Sequence, residues 1–140
     1  MAAILPLARL KPILANTETP VVPPARWFGA EPPHTWCYYF AKAELARQQR
    51  DWQKVIDLWN EAKSKGFSPS IPSEKLPFIY AFAHSGQIDT ALQMTRDIIT
   101  EEPKSDSGMC YTWNRISNDI PRDPVNREKF QELFTELRCN

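Results

Sequence analysis

Apolar residues recur at spacings of three and four through residues 36–103, and short polar breaks interrupt the pattern at regular intervals. Trp36, Tyr39, Phe40, Ala43 and Ala46 make one broad apolar face, so the spacing predicts a helix over 35–49 with Thr35 as its N-cap. A second helix, over 51–65, puts Val55, Leu58, Trp59 and Ala62 on one side, with Gly66 at its stop and Glu61 four residues before Lys65 as a favourable pair. The third, over 73–84, tolerates Pro77 only because that residue falls near the first turn, and Gly86 closes it. The fourth, over 87–101, turns Ile88, Ala91, Leu92, Ile98 and Ile99 inward, and Pro103 ends it.

These four helices are two copies of one unit. Trp52 aligns with Ile88, Val55 with Ala91, Trp59 with Thr95, Ala62 with Ile98, Ala43 with Ile79 and Ala46 with Phe82, each pair 36 residues apart. A period of that size implies stacked helical hairpins, because one hairpin cannot bury its apolar face alone. Residues 107–118 predict a fifth helix with Met109, Trp113 and Ile116 on one face. Asp123 and Pro124 read as cap and first residue of a sixth, along which Phe130, Leu133, Phe134 and Leu137 recur. This third hairpin is degenerate. Asn126, Glu128, Lys129, Glu132, Glu136 and Arg138 supply the polar outer face that a short solenoid needs at its end. The expectation is an all-α fold, a short α-α superhelix of two to three stacked hairpins over 35–140, preceded by an extended, proline-rich arm and connector over 1–34.

The arm begins with a mostly apolar run, 1–15, which does not fit a secretory signal: Arg9 and Lys11 interrupt it, and Pro6 and Pro12 break helix. A short docking helix or strand and simple disorder remain open for it. Pro20, Pro23, Pro24, Pro32 and Pro33 then fix extended backbone across 16–33. The Trp27-Phe28 pair within that stretch is costly to leave in water and is expected to anchor the connector across the helices, the alternative being a linear motif shown to a partner.

Tyr39, Ala43, Ala46, Asp51-Trp52, Val55, Trp59 and Ala62, followed by Phe78, Phe82, Gly86, Ala91 and Pro103, resemble two tetratricopeptide repeats. The chain departs from that pattern at Thr95, where a large apolar residue is usual, at Arg50, where glycine makes the turn, and at Phe67, where proline ends the repeat. The resemblance implies a concave face lined by the first helix of each pair. It would carry Cys37, Phe40, Glu44, Arg47 and Gln48 from the first repeat and Leu76, Tyr80, Ala83 and His84 from the second. Of these, Phe40, Glu44, Arg47, Gln48, Leu76, Tyr80 and His84 are the candidate peptide groove, aromatics giving area and Glu44 or Arg47 orientation. The set does not match the lysine/asparagine clamp by which some relatives of this repeat hold a C-terminal carboxylate, and Phe40 and Tyr80 covered by the connector would leave no open groove.

Two further resemblances compete. Residues 59–69 and 81–92 are similar to pentatricopeptide repeats, which read single-stranded RNA one base per repeat. Residues 27–40, Lys42-Ala43-Glu44-Leu45-Ala46-Arg47-Gln48 and Leu76-Pro77-Phe78-Ile79-Tyr80-Ala81 resemble the soluble C-terminal portion of large bacterial polytopic membrane proteins of the lipid-linked-sugar glycosyltransferase type. That likeness implies an accessory domain, extracytoplasmic and tethered, with any catalysis in a membrane part and no catalytic residue carried over to this segment.

Composition narrows the choice. Seventeen basic and seventeen acidic residues cancel, which removes the electrostatic case for nucleic acid or an anionic membrane. A chain of 140 residues with 42% hydrophobic content suits one respectable core, and no apolar run reaches the roughly 18 residues that span a bilayer. Cys37, Cys110 and Cys139 have no paired spacing, and an odd count argues against a full disulfide framework without fixing the compartment. His34 with Cys37, or Cys110 with His84, makes a poor metal site; no nucleophile elbow or phosphate loop is present, and the bland reading of a cysteine here is a small buried hydrophobe. The sequence therefore predicts a non-catalytic protein- or peptide-interaction or docking module with no cofactor or metal. Its partner is a protein, a peptide or the rest of a larger parent chain, with no nucleic acid and no membrane insertion by this segment.

Overall fold

The computed structural model describes residues 24–30, 33–121 and 123–139, and the chain divides between Pro33 and His34. The expectations for residues 1–15 and for the first part of the connector lie outside the described residues. Ahead of the division, one helical turn, α1 (Ala25–Phe28), interrupts the extended backbone predicted there. The Pro24 carbonyl accepts the Trp27 amide at 2.9 Å, and Gly29, at φ 78°, stops the turn. Within the turn, Trp27 is 73% exposed and has the Arg26 guanidinium 5.3 Å from its ring centre.

After the division the fold is all-α. Six helices form three consecutive hairpins: α2 (Trp36–Gln48) with α3 (Trp52–Ser64), α4 (Leu76–His84) with α5 (Ile88–Glu101), and α6 (Asp106–Asp119) with α7 (Pro124–Glu136). No strand occurs among the described residues. The predicted helices are found within one to three residues of their places. The largest shift is at α4, which opens at Leu76 after a 3-10 turn over Pro72–Lys75, since Pro77 has no N–H to close the bond back to Ser73. Asp51 and Asp123 cap α3 and α7 by accepting the amides of Lys54 (3.1 Å) and Asn126 (2.8 Å). Thr35 holds the N-cap position of α2 without a side-chain capping bond.

Four helices end in the same way. Past α2, α3, α4 and α7 a residue takes a left-handed conformation, and the next amide reaches back to a carbonyl five residues earlier: Asp51 to Ala46, Phe67 to Ala62, Gln87 to Phe82 and Cys139 to Phe134, all at 2.8–2.9 Å. Gly66 and Gly86 fill two of these positions at φ 79°, whereas Arg50 and Arg138 fill the others at φ 59° and 53°. Arg50 thus makes the turn that glycine makes in the second copy.

The hydrophobic core is continuous from α2 to α7. α4 is its centre. The sequence Leu76-Pro77-Phe78-Ile79-Tyr80-Ala81-Phe82-Ala83-His84 is apolar nearly all round, and α4 touches α2, α3, α5 and α6. Tyr39, Ala43, Val55, Ala62, Phe78, Ile79, Ala91, Ile98, Trp113, Ile116 and Leu133 are fully buried, whereas Phe40, Trp52, Trp59, Ile99 and Phe134 are half-buried at the margin. Trp59 packs on Phe78 with ring centres 4.7 Å apart. Two polar clusters clamp the hairpins. Tyr39 donates to Glu61 at 2.9 Å and accepts from Lys65 at 2.7 Å, joining the predicted Glu61–Lys65 pair; the bonds from Lys65 first and Tyr39 second hold Glu61 below its ordinary pKa. Glu74 Oε2 accepts three donors: the Trp36 indole N–H (2.6 Å) and the amides of Ser70 (2.7 Å) and Ile71 (3.4 Å).

Thr95, the residue out of place in the repeat pattern, is fully buried. Its hydroxyl accepts the Trp113 indole N–H at 2.8 Å and donates to the Ala91 carbonyl at 2.9 Å. A large apolar residue here would orphan a buried donor, so threonine is the residue that lets α6 dock on α5. Cysteine usage needs a correction as well: Cys110 and Cys139 form a disulfide, with Cα atoms 5.6 Å apart, while Cys37 is free and exposed. The 29-residue separation corresponds to one helix, one turn and one helix back, a spacing that acquires meaning only once the hairpin exists.

Thr95→Val keeps the volume and removes the hydroxyl, and should lower stability by about 1–3 kcal/mol in urea denaturation, more than Thr95→Ser does. Arg50→Gly should raise stability by about 0.5–1 kcal/mol, because glycine takes the left-handed turn without strain; a loss of stability instead would mean that the Arg50 side chain contributes more than its backbone costs.

Candidate functional site

α2, α4 and α6 are the first helices of the three hairpins, and α4 lies between the other two. The groove residues predicted from α2 and α4 come together in part. Glu44 grips Arg47 through both oxygens, at 3.1 Å to Nε and 2.9 Å to Nη2, as three-apart residues on one helix can. The Arg47 guanidinium then crosses to α4 and sits 5.5 Å from the centre of the Tyr80 ring. One turn along α4, His84 lies nearly parallel to Tyr80 (6.3 Å, 13°) and stacks flat on Trp52 of α3 (4.3 Å, 3°). Phe40 and Leu76 are half-buried against the core and serve as its edge, and Gln48 is exposed at the end of α2.

The structure adds a third wall from α6 that the sequence reading missed. Tyr111 is 65% exposed, and the Arg115 guanidinium stands 5.9 Å from its ring centre. Arg115 and Asp119 both act electrostatically on Tyr80, and Asp119 acts on His84. The signal was present as Tyr111, Arg115 and Asp119 at steps of four on the polar side of a predicted helix. It went unread because the third hairpin departs from the 36-residue repeat, so its register could not be carried over. Trp52, which aligns with the buried Ile88, is likewise drawn to this face by the His84 ring.

Electrostatics on the face follow from its depth. Burial raises the Tyr80 pKa, against the pull of Arg115 and Arg47, so the phenol stays a hydrogen-bond donor through the neutral range. Burial also lowers the His84 pKa, Asp119 opposing and Arg50 reinforcing, so the imidazole is neutral at pH 7. Tyr111, beside the guanidinium, is the main influence holding Arg115 more firmly protonated. Two arginines, two tyrosines and a neutral histidine thus lie across three helices, with Glu44 and Asp119 toward the sides.

The remaining sequence candidates are placed elsewhere. His34 stacks on Tyr38 with ring centres 3.6 Å apart, and the Cys110 sulfur is committed to Cys139. Among the described residues no three His, Cys, Asp or Glu side chains are grouped to hold a metal, and no helix is long and apolar enough to cross a membrane. Away from the three-helix face, a cleft of about 330 Å3 opens between α3, α5 and the chain before α4, lined by Trp59, Lys63, Ile71, Lys75, Met94 and Asp97 among others. No protein-family model, curated protein or solved structure matches the chain.

His84 titration gives a test of this geometry. Its folded pKa is lowered, so the unfolded chain binds the proton more tightly; the stability this contributes is complete above the ordinary histidine pKa of 6.5 and is lost as pH falls through and below that value. NMR should show the His84 imidazole titrating below the ordinary range, and His84→Phe, which keeps the stack on Trp52, should flatten the fall in melting temperature between roughly pH 7 and 5. An unchanged fall in that variant would contradict the half-buried placement of the ring.

Proposed function

We propose that the domain is a non-catalytic peptide-interaction module of tetratricopeptide-like hairpins, and that its ligand lies as an extended chain across α2, α4 and α6. The observation that carries this reading is that the Glu44–Arg47–Tyr80 contacts span α2 and α4 while α6, packed against α4, carries the Tyr111–Arg115 pair. Exposed tyrosine and arginine are the residue types that protein interfaces concentrate at their energetic centres. Here they are held in place by stacking and ion pairing before any partner arrives, which lowers the ordering cost of binding. Helix axes about 8–10 Å apart make the three-helix face roughly 16–20 Å wide, the length of about five or six extended residues. The same surface serves a segment of a larger parent chain equally well, since a docked linker and a free peptide make the same contacts.

A second reading concerns setting. Disulfides persist in oxidising compartments, and the Cys110–Cys139 bond therefore favours a domain displayed outside the cytoplasm, as an accessory part of a membrane-anchored protein of the glycosyltransferase-like type would be.

Panning a random peptide library on the immobilised domain tests the module directly. Enriched peptides should lose about tenfold or more in affinity on Arg47→Glu or Tyr80→Ala, a change of about 1.4 kcal/mol per decade. The melting temperature of Arg47→Glu should change little, because its ion pair with Glu44 is partly exposed. Failure to enrich any peptide, or equal affinity for both variants, would reject the reading.

A further inference from the structure

The third hairpin is closed differently from the first two. α2 packs densely on α3 and α4 on α5, whereas α6 and α7 touch sparsely. The apolar hold on α7 comes from Phe130, whose ring centre is 5.6 Å from that of Trp113, together with buried Leu133 and Leu137. Two ion pairs reach from α7 to α5, Arg96 with Glu136 and Lys129 with Asp89, and both are substantially exposed, so they add little. The strongest tie is covalent. Cys110 stands in the second turn of α6 and Cys139 just beyond α7, both half-buried, and their disulfide fastens the returning helix to the outgoing one.

Cys110 is also the residue before Tyr111. α6 therefore carries the disulfide and the third wall of the binding face on adjacent positions, with Arg115 one turn further on. α6 is held on its inner side by Trp113, bonded to Thr95, and on the side of α7 by a sparse contact and the disulfide, so that side depends on the disulfide.

We propose that the Cys110–Cys139 disulfide is a redox latch: its reduction releases α7 from α6 and loosens the Tyr111–Arg115 wall, which weakens ligand capture. The reductant is a dithiol. One of its thiolates attacks the sulfur of Cys139 and forms a mixed disulfide, expelling the Cys110 thiolate; its second thiolate then attacks the dithiol's own sulfur in that bond, closing the reductant's disulfide and expelling the Cys139 thiolate. Two electrons pass to the protein, and the two protons lost by the dithiol end on the two cysteines. Loss of capture rests on the proposed peptide-binding face, whereas release of α7 does not.

Hydrogen exchange read by mass spectrometry separates the two. The Cys37→Ser protein, which removes the free exposed thiol, is compared oxidised and in dithiothreitol, alongside a Cys110→Ser/Cys139→Ser variant without reductant. Reduction should speed exchange in α6 and α7 by about tenfold or more while α2 to α5 keep their protection, and the double variant should match the reduced form. Unchanged exchange in α6 and α7 would overturn the latch, and so would loss of protection in every helix, which would make the bond a staple of the whole fold. Peptides selected on the oxidised form should bind about tenfold more weakly after reduction; equal affinity with α7 released would overturn the link to the binding face. If no peptide is selected, the binding reading falls while exchange alone still decides the latch.

Discussion

A helix that is apolar on nearly every side cannot be a surface helix, and α4 is such a helix. Nine residues long, it buries Pro77, Phe78, Ile79, Ala81, Phe82 and Ala83, and it needs neighbours on most sides to do so. α3 and α5 arrive through the chain connections, while α2 and α6 close the two flanks. The position of the proposed binding face follows from the same demand. Tyr80 and His84 are the polar-tipped residues left over where α4 meets no further helix, and the side chains gathered round them belong to the helices that α4 holds apart.

The join between the second and third hairpins depends on a polar contact inside the core. The Trp113 indole brings a large apolar surface into the interior together with one N–H, and that N–H is tolerable there because the Thr95 hydroxyl accepts it and in turn donates to the Ala91 carbonyl. The first junction has no such device. There Trp36, Trp59 and Phe78 pack edge to face and tilted, and the indole N–H of Trp36 is taken up at the margin by Glu74. Successive repeats thus use tryptophan for the same purpose and satisfy its one donor by different means.

Much of the architecture was legible because helical period and repeat period are both carried by single residue types at fixed offsets. Ala43, Ala46, Val55 and Ala62 sit where their counterparts Ile79, Phe82, Ala91 and Ile98 sit, and all eight are buried. Departures from the repeat were visible as departures but not as solutions. Arg50 takes the left-handed turn itself, and Thr95 answers a tryptophan 18 residues away, which no local pattern announces. The candidate face was half legible: Glu44, Arg47, Tyr80 and His84 meet, but Tyr111, Arg115 and Trp52 were unread, because one hairpin is out of register and a ring stack depends on rotamers. The disulfide was illegible for the same reason, since it joins positions that only antiparallel packing brings near.

Glu74 has a consequence for the shape of the stack. Its Oε2 binds the Trp36 indole at the start of α2 and the two amides of the chain that leads into α4, so the first hairpin and the entry to the second are pinned to one atom. In a helical solenoid the rotation between neighbouring repeats accumulates into curvature. Here Glu74 ties the start of α2 to the chain entering α4 beside the Trp36, Trp59 and Phe78 rings, so a change at this one carboxylate would act on the angle between the first two hairpins rather than on either hairpin alone.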